Sequence, residues 1–163
     1  MTYVYYTGTV LATFFVWALI HEMSHVVAYK YTVGLYSYKV ILYPHVYNNR
    51  FYFASMSGRA KRQPSASQQF IISMAPRVPD YIAILAIAFL CTFTEPELWS
   101  RLLVVFLAGS IIDLFVGSMG IDKGSDLQVA AGAVPKMSIW GWRLLQGFII
   151  ICAIANITNF FIR

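Results

Sequence analysis

The sequence predicts an all-α membrane protein of about four transmembrane helices, with a small β-hairpin or sheet between the first and second. Three observations predict this class. Hydrophobic residues make up 59% of the chain and charged residues only 12%, whereas soluble domains are about half apolar and a quarter charged. Apolar stretches recur at the length of roughly 20 helical residues that crosses a bilayer. After the first of them the pattern changes to alternation with a period of two, the period of a strand. A water-soluble core built from 163 residues would leave too little polar surface to cover this much apolar side chain. The length suits one integral membrane domain, residues 1–163.

The first span runs from Tyr3 to about Tyr29 and is rich in Phe, Val and Leu. No basic segment precedes it, and its apolar run continues into a cluster of polar residues, so it reads as a retained helix rather than a cleaved signal. From Gly34 to Met56 the texture changes. Tyr36, Tyr38, Val40 and Leu42 alternate, as do Phe51 and Phe53, with Pro44 and Asn48-Asn49 supplying turn chemistry between them. This predicts a hairpin over about 36–54, followed by a polar basic loop from Arg59 to Ser67. The second span covers about 70–93 and is interrupted near its start by Pro76 and Pro79. The third covers about 102–119, and the fourth 139–161, with Trp140 and Trp142 as interfacial anchors.

Net charge is +5, and its placement is informative. Lys30, Lys39, Arg50, Arg59, Lys61 and Arg62 share a stretch without any acidic residue, between two apolar spans. A cytoplasmic loop under the positive-inside rule explains this better than a nucleic-acid surface. The amino terminus, and the connection holding Glu95 and Glu97, then lie outside, and the 122–143 segment inside. Cys91 and Cys152 fall in apolar segments at no metal-site spacing and read as buried reduced thiols. Asn156 and Asn159 read as hydrogen-bonding contacts between helices.

Chemistry concentrates in His21-Glu22-Met23-Ser24-His25. On a helix, residues four apart lie one turn apart on one face, so both imidazoles reach a single metal ion. Neutral imidazole suits zinc, and two such ligands leave room for a carboxylate and a water. Glu22 is then placed as a general base on that water. Ionisable residues inside an apolar span are costly and tend to be functional. Two histidines four apart cannot take opposite axial positions on a haem.

His21-Glu22-Met23-Ser24-His25-Val26-Val27-Ala28 followed by Gly34 resembles the first-helix signature of the site-2 protease family of intramembrane zinc metalloproteases. Ser73-Met74-Ala75-Pro76 is similar to the start of that family's next helix, with Ala75 where glycine is usual. The resemblance implies zinc as cofactor and a membrane-embedded or membrane-proximal protein segment as substrate, cut near the cytoplasmic face of the bilayer. It also implies an aspartate as third ligand. The family's Asn-x-x-Pro and Leu-Asp-Gly are absent, and Gly124-Ser125-Asp126-Leu127 resembles a degenerate form of the latter. Asp126 is therefore the preferred ligand and Asp113, inside the third span, the alternative. Asp122 reads as a solvated loop carboxylate and His45 as a surface residue. Ser125 and Asp126 also suit a plain helix N-terminus.

Three functions follow from these residues. The first is an intramembrane endopeptidase with Glu22 as catalytic base. The second is a metal-binding scaffold of the same family that has lost proteolysis. A cation transporter ranks last, because the spans show no internal repeat. The hairpin serves either to pair with an extended substrate or to rest on the membrane surface. Lipid is the expected surroundings, nucleic acid is not an expected partner, and the sequence does not give an oligomeric state.

Overall fold

Helices dominate because lipid offers the backbone no hydrogen bonds, so each span must satisfy its own. The structure is a computed structural model that describes residues 2–47, 50–52, 54–119, 125–134 and 138–163. In chain order the elements are α1 (Thr2–Thr32), β1 (Leu35–Ile41), β2 (His45–Tyr47), β3 (Arg50–Tyr52), β4 (Ser55–Ala60), α2 (Ala66–Met74), α3 (Arg77–Phe93), α4 (Leu98–Leu107), α5 (Gly109–Met119), α6 (Asp126–Ala133) and α7 (Ile139–Ile162). Among the described residues four helical stretches are long and apolar enough to cross a membrane: Tyr3–Thr32, Ala66–Phe93, Leu98–Gly117 and Ile139–Ile162. The expected fold class is therefore present, and its contacts divide into two compact units.

One unit contains Met1–Trp17, Arg77–Met119 and Trp140–Arg163. Its core is Ile87, Cys91, Val104, Ile111, Leu114, Ile150, Ala153 and Phe160. Outward-facing side chains such as Leu85, Leu144 and Phe148 are 67–74% exposed, which suits a lipid surround rather than water. Pro79 sits in the first turn of α3, where a missing N–H costs nothing. Trp17 donates its indole N–H to the Phe106 carbonyl at 2.8 Å, in the last turn of α4, where the N–H of the C-cap Ala108 also points. Gly109 lies directly against Trp17 and Thr13, so any Cβ there would collide.

Buried charge in this unit is paired. Arg77 and Asp80 are 3% and 0% exposed, and the Arg77 Nη1 donates to Asp80 Oδ2 at 2.9 Å. The same nitrogen donates to the Asp113 carbonyl at 3.1 Å and lies 4.0 Å from Asp113 Oδ2. The guanidinium rests against Gly117, which leaves no space for a Cβ. Three side chains differ from the expectations. Cys152 is exposed on α7, not buried, and Asn156 and Asn159 face outward, with Asn156 donating to the Cys152 carbonyl of its own helix instead of bridging helices.

The other unit contains Ala18–Pro76 and Gly120–Ile139. Here α2 packs against α6, burying Ile72, Ser73, Leu127 and Ala130. The sheet is longer than the expected 36–54 hairpin: β1 pairs antiparallel with β4, and β2 with β3 forms a smaller ribbon within the connection. β4 reads Ser-Met-Ser-Gly-Arg-Ala, a polar run without β-branched residues, held by the backbone ladder more than by propensity. The second span also begins earlier than expected, at Ala66. Ser65 accepts from the Gln68 N–H while the Gln68 side chain accepts from the Ser65 N–H, a reciprocal cap that fixes the helix start.

Glycine substitutions test this packing. Gly117→Ala should destabilise the protein by about 1–3 kcal/mol through overpacking against Arg77. Gly132→Ala and Gly147→Ala, which meet open space, should be neutral or gain up to about 1 kcal/mol. Thermal unfolding in detergent of the three variants beside wild type measures both effects.

Candidate metal centre

His21 and His25 lie on consecutive turns of α1, with ring centroids 5.1 Å apart and planes at 73°. The third member comes from α6, which starts at Asp126 and thereby presents that carboxylate at the helix N-terminus, where negative charge is favoured. His21 Nε2 is 3.2 Å from Asp126 Oδ2 and His25 Nε2 is 3.3 Å from Asp126 Oδ1. One ligand atom from each of the three residues falls within 4.8 Å of the others. Metal bonds of roughly 2.0–2.2 Å place neighbouring tetrahedral donors about 3.3–3.6 Å apart, so these atoms are close enough for one ion to reach all three residues after small side-chain adjustments. Glu22, only 8% exposed, follows His21 about 100° around the helix.

Pro76 explains the setting of His25. A helical carbonyl normally accepts from the N–H four residues on, and for Ile72 that residue is Pro76, which has none. The Ala75 N–H offers the Ile72 oxygen only a long contact of 3.4 Å. The freed oxygen is taken by His25 Nδ1 at 2.9 Å. Because a carbonyl can only accept, Nδ1 carries the proton in that bond. In the neutral ring Nε2 is then a bare lone pair, and it faces a carboxylate oxygen. Two lone pairs at that distance repel. A cation bound by both resolves the conflict, as does a second proton on His25. Hydrogen-bonding a metal-ligating histidine through its other nitrogen to a backbone carbonyl is the usual way such a ligand is oriented.

Protonated imidazoles act on the carboxylate in the opposite sense to a bare lone pair. Burial alone would raise the Asp126 carboxyl, but hydrogen bonds and charge from His21 and His25 in their protonated form outweigh it and hold the group well below the ordinary carboxylate range. Asp126 is thus a carboxylate, the form a metal needs. The donor set of two imidazoles and one carboxylate fits zinc and other first-row divalent ions.

Of the residues singled out in the sequence, His21, His25 and Asp126 converge, with Glu22 on the same turn. Asp113 belongs to the other unit, beside Arg77. Asp122, with Gly120 and Gly124, lies outside the described residues. His45 is on β2, with Nδ1 near the Tyr43 carbonyl and Nε2 near Ser55 Oγ, both at 2.9 Å. Ile72 was missed by sequence reasoning. Its signal was a proline four residues on. No family model, no curated protein and no solved structure matches the chain.

Three outcomes follow for metal binding. By metal analysis of purified protein, His21→Ala, His25→Ala and Asp126→Ala should each lose most of the bound ion, while Asp113→Ala should keep it. Retention should also fall as pH falls, because protons compete for the same nitrogens and oxygens. Pro76→Ala restores a helical donor to the Ile72 carbonyl and should weaken metal affinity about 10-fold, the lower end of what loss of an orienting partner costs. A competitive chelator titration measures that change.

Proposed function

We propose that this protein is a zinc-dependent intramembrane endopeptidase of the site-2 protease kind. The observation that carries this reading is the meeting of His21 and His25 with Asp126 at 3.2 and 3.3 Å, on a helix that is long and apolar enough to cross a membrane. His21, His25 and Asp126 would hold the ion. Zinc, when bound, acidifies a water and polarises a carbonyl. Two imidazoles and a carboxylate leave one position for that purpose, as catalytic zinc sites do.

The chain's own residues supply the rest. Glu22 takes a proton from the attacking water and returns it to the leaving amine, a transfer worth typically 10²- to 10⁴-fold. Ile72, through its carbonyl, keeps His25 in the tautomer whose Nε2 is free to ligate. The β1–β4 sheet leaves one outer edge on each strand, and such an edge offers backbone partners to an extended substrate. A transmembrane substrate needs this, because a helix engages its own peptide groups and must unwind before hydrolysis. By the charge of the loop after α1, cleavage lies toward the cytoplasmic face.

The departure of Gly124-Ser125-Asp126-Leu127 from the family's Leu-Asp-Gly favours a second reading, a metal-binding scaffold without proteolysis. Glu22 separates the two. In a membrane-tethered reporter assay, Glu22→Gln should lower cleavage by about 10²- to 10⁴-fold with its metal content intact. Equal cleavage by the variant and wild type would remove Glu22 from the mechanism. Full metal occupancy with no cleavage of any reporter by wild type would favour the scaffold.

A further inference from the structure

The sheet following α1 carries an arrangement that neither metal binding nor proteolysis requires. The first candidate span ends at Thr32 and the second begins at Ala66. Only Val33 and Gly34 separate α1 from β1, and residues 61–65 separate β4 from α2. Three extended steps reach about 10 Å, so the start of β1 stays near the headgroup level at which α1 leaves the bilayer. From Met23 to Pro79 the chain has no acidic residue. Lys39 and Arg59 on the sheet and Lys61 directly after β4 are all exposed.

Two of these cations are placed, not merely present. The register of β1 on β4 slips between Leu35 and Ser37, which pair with Ala60 and Arg59. Tyr36 is therefore the extra residue of a bulge, a device that re-aims a side chain. Its ring is 70% exposed, with the Arg59 guanidinium carbon 6.0 Å and the Lys61 ammonium 5.6 Å from its centroid. Lys61 is held there twice. Its N–H donates to the Gly34 carbonyl at 3.0 Å, and its stem lies where a Cβ on Gly34 would be. Gly34 has φ 79°, a left-handed conformation that only glycine adopts freely. Two like charges gathered over one ring repel, and an anion accepting from both relieves that repulsion.

We infer that Tyr36, Arg59 and Lys61 form a binding site for the phosphate of an anionic phospholipid in the leaflet that the sheet faces. Tyrosine suits the interface, where its ring meets acyl chain and its hydroxyl meets water. Guanidinium and ammonium together match a phosphodiester. Basic groups at this level are attracted to anionic lipid across about a Debye length. The site is independent of the protease reading, because it depends only on the sheet lying beside membrane-crossing helices.

The test uses the full chain in mixed micelles containing equal phosphatidylglycerol and phosphatidylcholine, with bound lipid counted by native mass spectrometry. Wild type should retain phosphatidylglycerol several-fold over phosphatidylcholine. Arg59→Gln with Lys61→Gln should abolish that preference, and Arg59→Lys with Lys61→Arg, which keeps both charges, should preserve it. Arg143→Gln removes a cation from α7 and should leave the preference unchanged. No preference in wild type overturns the assignment. So does a preference that survives the double glutamine variant, or an equal loss in Arg143→Gln, which would reduce the effect to net charge. Displacement of the lipid by a micromolar acidic peptide or RNA oligonucleotide would reassign the surface to that partner.

Discussion

A carbonyl that has lost its helical donor cannot be left bare where water is scarce, and the candidate metal centre depends on how one such carbonyl is satisfied. Pro76 deprives Ile72 of its donor, and His25 replaces it. The bond does three things at once. It ties α1 to the end of α2, it fixes the tautomer of His25, and it aims Nε2 at Asp126. In the other unit a carbonyl at a helix end takes a side-chain donor without a titratable group, since Trp17 donates to the Phe106 carbonyl at the end of α4. Comparing the two shows what histidine adds. An indole has only a donor to give, whereas an imidazole that donates from one nitrogen keeps a lone pair on the other. A carbonyl capped by tryptophan is only satisfied, while one capped by histidine also creates a ligand.

The two units treat buried charge in opposite ways. Arg77 and Asp80 form a close ion pair with almost no exposure, and Arg77 also engages Asp113. Breaking such a pair typically costs about 3–5 kcal/mol, so these residues serve the packing of α3 against α5. Around Asp126 the carboxylate instead meets two imidazoles, which are charged only when protonated. The first arrangement is complete with the chain's own charges. The second is completed by a positive charge, either a proton on an imidazole or a cation held between its members.

How much of this could be read from the sequence differs from element to element. The spans were legible because lipid imposes length and apolarity on every helix that crosses it. His21, Glu22 and His25 were legible because a helix converts a spacing of four into a shared face. Asp126 was only half legible. Gly124-Ser125-Asp126-Leu127 suggested a helix start and favoured Asp126 over Asp113, but nothing local showed that it meets the histidines, because the meeting of α1 and α6 is a long-range event. The expected hairpin stops at about 54, short of β4, because Ser55–Ala60 lacks the side chains that mark strands, and its pairing comes from the β1 ladder. The early start of α2 had a readable signal in Ser65 and Gln68, the cap residues. Tyr36 belongs with the illegible features, since a bulge shows itself only in the register.

A metal held between these residues would have a structural part as well as a chemical one. α6 has eight residues, and helices that short are marginal on their own. Its N-cap, Ser125, makes no side-chain cap bond. What holds α6 is burial of Leu127 and Ala130, its packing on α2, and the contact of Asp126 with two histidines of α1. When the His25 nitrogen facing Asp126 carries no proton, that last contact sets two lone pairs against each other. A cation held there would turn the contact into two bonds. Because the unfolded chain does not gather these residues, such binding would add to the stability of the folded unit. Metal binding and the placement of Asp126 would then be one equilibrium, and a substitution on α2 that disturbs Ile72 would act on Asp126 without touching it.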